Sequence, residues 1–129
     1  MIRIPLHPFL VHFPIAFYFL ELVLLLFWVR KKDASYERFA RFAFAAGYLF
    51  MLAAMVTGWR DAGGFGAMPP AVRRHFYGVL SIFTLYTFRA AHFKMAKAGS
   101  SPAPRLAGAV AGNVLLFLTA YWGGVVVYA

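Results

Sequence analysis

Four long apolar runs constrain the fold of this chain more than any other feature. A helix needs about 20 mostly apolar residues to cross a bilayer, and runs of that length lie at about residues 9–29, 39–58, 71–93 and 106–128. The runs are too long for single strands and show no sustained alternation. Helices also satisfy every backbone hydrogen bond within one segment, as lipid requires. The sequence therefore predicts one domain, residues 1–129, built from four transmembrane helices.

The composition supports a membrane location. Of the 129 residues, 63% are hydrophobic and only 13% are charged, whereas ordinary globular domains carry about 25% charged residues. The net charge of +9 lies between the apolar runs rather than along one face, so we expect a lipid bilayer and no nucleic acid as partner. The chain has no cysteine, which excludes disulfides, thiolate metal sites and a cysteine nucleophile.

The distribution of lysine and arginine predicts the orientation. The first and third connections, with the helix ends beside them, carry nine such residues, and the opposite side carries four. The nine are Arg30, Lys31, Lys32, Arg38, Arg41, Arg89, Lys94, Lys97 and Arg105, and the four are Arg3, Arg60, Arg73 and Arg74. Because cytoplasmic loops carry the excess of positive charge, both termini are expected on the outer, periplasmic side. Short connections between neighbouring helices predict an all-α, antiparallel four-helix bundle.

Small residues recur at four-residue spacing on two of the helices. In membranes, such pairs let two helix backbones approach closely. We expect them to pack helices within one chain, with a homodimer face as the alternative. The pairs are Ala43 and Gly47, Ala54 and Gly58, and Gly108 and Gly112.

Polar residues fall into two layers when they are sorted by depth, at 1.5 Å per helical residue. The outer layer contains His7, His12, Arg60, Asp61, His75 and Tyr121. The mid-membrane layer contains Glu21 and Asn113, with hydroxyl groups near the same depth. A carboxylate at this depth usually faces the bundle interior. Two interpretations stay open: a protonated Glu21 hydrogen-bonded to Asn113 or a hydroxyl, or a proton or ion relay.

Several short motifs recur in the order found in a known family. The first helix begins with HPFLVHFP, the second ends with Thr57-Gly58-Trp59-Arg60-Asp61, and His75 lies early in the third. The fourth ends with a GG and VY pattern over residues 123–128. In these motifs the chain resembles the small bacterial membrane proteins called domain of unknown function 2231. The resemblance implies a multi-pass protein of the bacterial inner membrane, with a site at His7, His12, Asp61 and His75.

Three hypotheses for the outer layer remain open. In the first, His12 and His75 hold haem b in a membrane electron-transfer protein, because two histidines from different helices commonly ligate this group. In the second, His7, His12, Asp61 and His75 bind a divalent metal, since imidazole and carboxylate suit zinc, iron or copper. In the third, the layer only locks the helices of a scaffold subunit in a membrane complex, for example a redox complex. No nucleophile with a base and an orienting group is present, so we do not expect an enzyme.

Overall fold

The computed structural model describes residues 5–64, 66, 68–97 and 99–128, and every regular element in those residues is a helix. The helices are α1 (Leu6–Leu10), α2 (His12–Lys31), α3 (Ala34–Asp61), α4 (Pro70–Met95) and α5 (Ala103–Tyr128). α1 and α2 form one continuous span, so the four predicted helices are confirmed. Arg3, counted above among the outer cations, lies outside the described residues.

The break between α1 and α2 has a local cause. Proline has no backbone N–H, so Pro14 cannot donate to the carbonyl four residues earlier, which belongs to Leu10. Leu10 is the last residue of α1, and Val11 stays in the right-handed helical region at φ −64° and ψ −22°. The span therefore continues in nearly the same direction. It begins at Leu6, three residues before the predicted start, which brings His7 into the helix.

The turn between α2 and α3 is shorter than the sequence suggested. Lys32 adopts a left-handed conformation at φ 55°, and its amide donates to the Trp28 carbonyl at 2.8 Å, which ends α2. Asp33 then caps α3, because its carboxylate accepts from the Ser35 amide at 2.8 Å. This hydrogen bond lowers the pKa of the exposed Asp33 carboxyl. Only two residues thus separate α2 from α3, and the predicted connecting residues Arg38 and Arg41 lie inside α3.

Close contacts define an antiparallel bundle. α2 lies between α3 and α5, and α4 packs along α5, whereas the backbones of α3 and α4 approach each other at few positions. Side chains bridge that seam: the Tyr48 and Thr87 hydroxyls are 2.8 Å apart, and the Phe44 and Phe93 rings meet edge to face at 4.7 Å.

The outside of the bundle is apolar, as a lipid-facing surface requires. Large side chains such as Phe42, Leu49, Val56 and Phe88 are each about 70% exposed. By length and composition, Leu6–Lys31, Ala34–Asp61 and Ala103–Tyr128 could each cross a membrane. Among the described residues α4 does not meet that criterion, although its 26 residues are long enough, since it carries several arginines, histidines and a lysine.

We name the two ends of the bundle by their residues. The histidine end carries His7, Asp61 and His75, and the basic end carries Lys31, Lys32, Lys94 and Lys97. The predicted cation count at the basic end needs a correction. Arg89 and Arg105 are each only 6% exposed and form ion pairs inside the bundle, so two of the nine cations are not free surface charges.

Small residues pack helices against one another within the chain, as expected. A Cβ built on Gly47 of α3 would lie 2.9 Å from the Tyr18 ring of α2. A Cβ on Gly112 of α5 would lie 2.5 Å from the Tyr86 hydroxyl of α4. Each glycine therefore makes room for a large aromatic side chain of the neighbouring helix.

Candidate functional site: a two-histidine cavity

Two histidines from different spans meet at the histidine end. His7 is the second residue of α1, and His75 lies in the second turn of α4. Their ring centroids are 5.9 Å apart, and the ring planes are inclined by 77°. Antiparallel packing brings them to one level, because the start of α1 lies beside the end of α3, and the start of α4 beside the end of α5.

Each of these rings is oriented by a backbone carbonyl. The His7 Nδ1 lies 2.7 Å from the Ala54 carbonyl oxygen, and the His75 Nδ1 lies 3.0 Å from the Thr119 carbonyl oxygen. A carbonyl can only accept a hydrogen bond, so Nδ1 carries the proton in both rings. In a neutral imidazole this leaves Nε2 with a free lone pair, which is the arrangement of a metal-ligating histidine with its second nitrogen held by the protein.

Two glycines provide the space for the rings. A Cβ built on Gly58 of α3 would lie 2.7 Å from the His7 Nδ1, and a Cβ on Gly123 of α5 would lie 3.0 Å from the His75 Cε1. Any larger residue would push a ring away from its carbonyl partner. Gly58 therefore makes room for the His7 ring, and Gly123 makes room for the His75 ring.

A cavity of about 400 Å³ adjoins both rings. Its volume is within the range of small-molecule and cofactor sites, about 300–1,000 Å³. Apart from the imidazoles and Thr119, the cavity is lined by aliphatic side chains, glycines and Tyr128. Its floor contains Met51, Ile82 and Leu116, which also belong to the buried core. The cavity thus combines an apolar volume with two imidazole nitrogens.

The structure places His7, rather than His12, beside His75. His12 is exposed at the edge of the cavity, and its Nδ1 lies 3.3 Å from the Phe9 carbonyl oxygen of its own span. The expected pair assumed a helix beginning at Phe9, which left His7 outside it. Because α1 begins at Leu6, His7 and His12 are five residues apart on one span and point in different directions.

Asp61 lies close to His7 but not at its ring. Its carboxylate accepts from the His7 backbone amide at 3.4 Å, and it thereby supports the start of α1, which has no side-chain cap of its own. Within the described residues, no group of three or more His, Asp and Glu side chains is arranged to hold a metal ion. The geometry thus favours a site with two protein ligands over a site with four.

A second polar site lies deeper in the bundle, and here the expected hydrogen bond is not the one formed. Glu21 accepts from both terminal nitrogens of Arg89, at 3.0 Å and 2.5 Å, and the carboxylate is completely buried. Asn113 instead donates to the backbone carbonyls of Tyr18 and Ala109, at 3.2 Å and 2.9 Å. The expected hydrogen bond from Glu21 to Asn113 or a hydroxyl is therefore replaced by a bidentate pair with Arg89, whose permanent charge favours an ionised carboxylate; the relay interpretation stays a prediction.

Arg89 is the important residue that sequence reasoning assigned incorrectly. It was counted with the connection at the end of α4, yet it lies six residues inside the end of that helix. Its guanidinium rests within 5.6 Å of the ring centres of Phe44, Tyr86 and Phe93. The depths of the two residues, counted from the basic end, indicate the pair. Arg89 lies six residues and Glu21 ten residues inside the ends of their helices, a difference that a long arginine side chain can cross.

A further arginine completes the polar cluster toward the basic end. Arg105 donates to Glu37 at 2.6 Å, and its guanidinium lies between the rings of Trp28 and Phe93. Arg41 also donates to Glu37, at 2.5 Å, from a more exposed position. The Arg105–Glu37 pair ties α5 to α3 and the Arg41–Glu37 pair lies within α3, whereas Glu21 and Arg89 tie α2 to α4.

A comparison with known protein families supports the membrane assignment. The model for a predicted membrane protein, DUF2231, matches residues 3–129, almost the whole chain. The chain belongs to the DUF2231 family. The family resemblance based on the four motifs is thereby confirmed. The chain matches no curated protein and no solved structure. Membership in DUF2231 thus establishes a membrane protein, and the chemistry of the site must be inferred from its residues.

Proposed function

We propose that the protein holds haem b between His7 and His75 at the histidine end and takes part in electron transfer at the membrane. One observation carries the proposal: two imidazoles from different helices, each held by a backbone carbonyl at Nδ1, line one apolar cavity. Free Nε2 lone pairs on both rings supply the two axial ligands that haem b takes in helical bundles.

The dimensions of the site are compatible with this group. A metal–imidazole bond of about 2 Å on each side separates the two coordinating nitrogens by about 4 Å. Each coordinating nitrogen lies at the edge of its ring, so the centroids of two ligating rings are farther apart than the nitrogens, and the rings, 5.9 Å apart, would have to move slightly apart to hold the group. Arg60, Arg73 and Arg74 are exposed at the same end and would provide cations for the haem propionates. When bound, haem supplies one-electron chemistry, while the chain's own residues orient the ligand nitrogens and exclude water.

Absorption spectroscopy of the purified protein tests the proposal. Titration with haemin should produce a Soret band, and His7→Ala or His75→Ala should abolish it or convert it to a weaker, five-coordinate spectrum. His92→Ala is the matched control, because this exposed histidine lies near the basic end of α4, and it should retain the wild-type band; His12 lines the cavity edge, and His12→Ala should retain the band if His7 and His75 alone hold the group. Failure of the wild-type protein to take up haemin would contradict the proposal. Loss of the Soret band in His12→Ala, to the same extent as in His7→Ala, would instead favour His12 and His75 as the ligands.

A divalent metal is the second candidate for the same two nitrogens. Imidazole binds zinc, iron and copper, but two protein ligands leave the remaining positions to water or another molecule. Elemental analysis after purification without chelators separates this case from haem. A metal retained in stoichiometric amount by the wild type, and lost in His75→Ala, would favour it.

A scaffold subunit without a cofactor is the alternative function. It is favoured by the bonds of the two rings, because His7 joins α1 to α3 and His75 joins α4 to α5 whether or not a ligand is bound. Recovery of the protein as a stoichiometric part of a membrane redox complex, with no cofactor of its own, would support this alternative. In either case we propose that the basic end faces the cytoplasm of a bacterial inner membrane and that the histidine end faces outward.

A further inference from the structure

The cavity opens sideways between α2 and α5. These two helices are joined where Asn113 donates to the Tyr18 carbonyl, at 3.2 Å, and the residues of both helices that line the cavity lie between this bond and the histidine end. On α5, a Cβ built on Gly124 would meet no atom of the described residues within 4 Å, although Gly124 lines the cavity. On the other side, His12 is exposed while also lining the cavity. Exposed or partly exposed lining residues on both helices thus indicate that the cavity reaches the outside of the bundle between α2 and α5.

The opening extends to the depth of the lipid chains. Ile15 of α2 lies nine residues after the start of α1, and Ala120 of α5 lies eight residues before the end of that helix. Both residues line the cavity. At 1.5 Å per residue, they are about 12–14 Å inside the ends of the helices. The hydrocarbon core is about 30 Å thick, so this part of the opening faces lipid chains rather than water.

We infer that the ligand of this cavity is a largely apolar molecule dissolved in the bilayer, such as haem b, which enters between α2 and α5. A solute charged on all sides would have to lose its hydration to pass aliphatic walls. The apolar part of a lipid-dissolved molecule has no such cost, and charged groups at one edge, such as haem propionates, stay at the end of the bundle beside Arg60, Arg73 and Arg74. The inference rests on the proposed function of the cavity as a ligand site, and it names the class of ligand and its route.

Labelling of a single thiol tests the route without using haem. Because the chain has no cysteine, Ala54→Cys creates one thiol on the α3 wall of the cavity, opposite the opening. The variant is reconstituted in phosphatidylcholine vesicles and exposed either to pyrenylmaleimide dissolved in the lipid or to a sulfonated maleimide present on both sides in water. The labelling rate of Ser100→Cys, in the exposed α4–α5 connection, is measured with each reagent, and the Ala54→Cys rate is divided by it.

We expect the normalised rate with the lipid-dissolved reagent to exceed the rate with the sulfonated reagent by at least about tenfold, as the desolvation cost predicts. Adding Gly124→Leu should lower the lipid-side rate severalfold, because the new side chain extends into the opening from a position where an added Cβ meets no described atom within 4 Å. Ala111→Leu, on an exposed face of the same helix, is the matched control and should leave the rate unchanged.

Two results would overturn the inference: faster labelling by the sulfonated reagent, or no effect of Gly124→Leu. If Ala54→Cys does not fold, Ala120→Cys reports on the same cavity from the α5 side, with the same expected order of rates. Haemin titration is read separately. A protein that binds no haemin but labels from the lipid would refute the haem proposal and leave the entrance intact.

Discussion

At the scale of single residues, replacing Glu21 or Arg89 alone is expected to lower the stability of the protein strongly. Both side chains are buried, at 0% and 6% exposure, and each is the other's charged partner. Replacing a buried ion pair by apolar residues is often neutral, whereas removing one partner leaves an uncompensated charge. The pair therefore adds little net stability compared with two apolar residues. It does require that the two residues change together.

Glu21→Gln should destabilise the protein strongly. Loss of one partner of a buried pair costs about 3–5 kcal/mol, which thermal unfolding in detergent would show as a large drop in Tm. The combined Glu21→Leu and Arg89→Leu variant should recover most of this loss, since no charge remains unpaired. Arg41→Gln is the control, because this half-exposed residue pairs with Glu37 at the surface, where an ion pair is worth about 0–1 kcal/mol. A double variant as unstable as Glu21→Gln would argue against this account.

Two glycines of α5 should respond to alanine with opposite signs. A Cβ on Gly112 would lie 2.5 Å from the Tyr86 hydroxyl, and such overpacking costs about 1–3 kcal/mol. A Cβ on Gly124 would meet no described atom within 4 Å, so the better helix propensity of alanine, up to about 1 kcal/mol, should make Gly124→Ala neutral or stabilising. Tm values of both variants, measured in the same detergent, check the contrast. A Gly112→Ala protein with unchanged Tm would mean that Tyr86 moves aside at little cost.

Residue-level reasoning from the sequence identified Glu21 as an intramembrane acid but assigned it the wrong partner. Depth along each helix could be counted, yet the rotation of each helix about its axis could not. That rotation decides that Asn113 faces the Tyr18 backbone while Arg89, from another helix, reaches the carboxylate. The long arginine side chain also crosses several residues of depth, so a position near a helix end does not fix where its charge lies.

At the scale of elements, α4 differs from the other spans because its arginines reduce its hydropathy. An arginine at the centre of a membrane helix costs about 2.5–3.5 kcal/mol on insertion scales, and Arg89, six residues inside the end of α4, has part of that cost. In the folded protein Glu21 of α2 neutralises this charge. The insertion of α4 should therefore depend on a helix that precedes it in the chain.

A glycosylation-site insertion assay tests this dependence. The α4 segment alone should insert poorly, the α5 segment alone should insert well, and Arg89→Leu should raise the insertion of isolated α4. In the full chain, Glu21→Gln should lower the fraction of molecules in which α4 spans the membrane. Efficient insertion of isolated wild-type α4 would show that its arginines do not limit insertion.

The existence and order of the helices could be predicted from the sequence, whereas their ends could not. Apolar run length determines that a span exists, but local chemistry determines where it stops. α3 begins at Ala34, five residues before the predicted start, because the Asp33 carboxylate caps the helix. α1 begins at Leu6 in spite of Pro8, because a proline in the first turn lacks only an N–H that would have no partner there. This shift of three residues changed the expected histidine pair.

At the scale of the whole molecule, the orientation in the membrane is still a prediction. With Arg89 and Arg105 paired inside the bundle, the remaining cations at the basic end still outnumber those at the histidine end. We therefore expect the α2–α3 and α4–α5 connections to face the cytoplasm. A thiol at Ser100, tested with an impermeant maleimide in intact cells and in inverted vesicles, should react in the inverted vesicles alone. Reaction in intact cells would reverse the orientation and place the histidine cavity on the cytoplasmic side.

The bundle also shows why the site was only partly predictable. The four motifs lie at residues 7–14, 57–61, 75 and 123–128, and antiparallel topology brings all four to one end. Topology alone could not show that Gly58 and Gly123 make room for the rings, since that depends on close contacts between backbone and side chain.

The bond between Glu21 and Arg89 has a consequence for the history of the chain. A mutation that removes either charge leaves the other unpaired inside the bundle, so we expect the two positions not to change separately. Lineages that lose the pair must pass through an unstable intermediate or change both residues nearly at once. We therefore expect residues 21 and 89, which are 68 positions apart in the chain, to vary together.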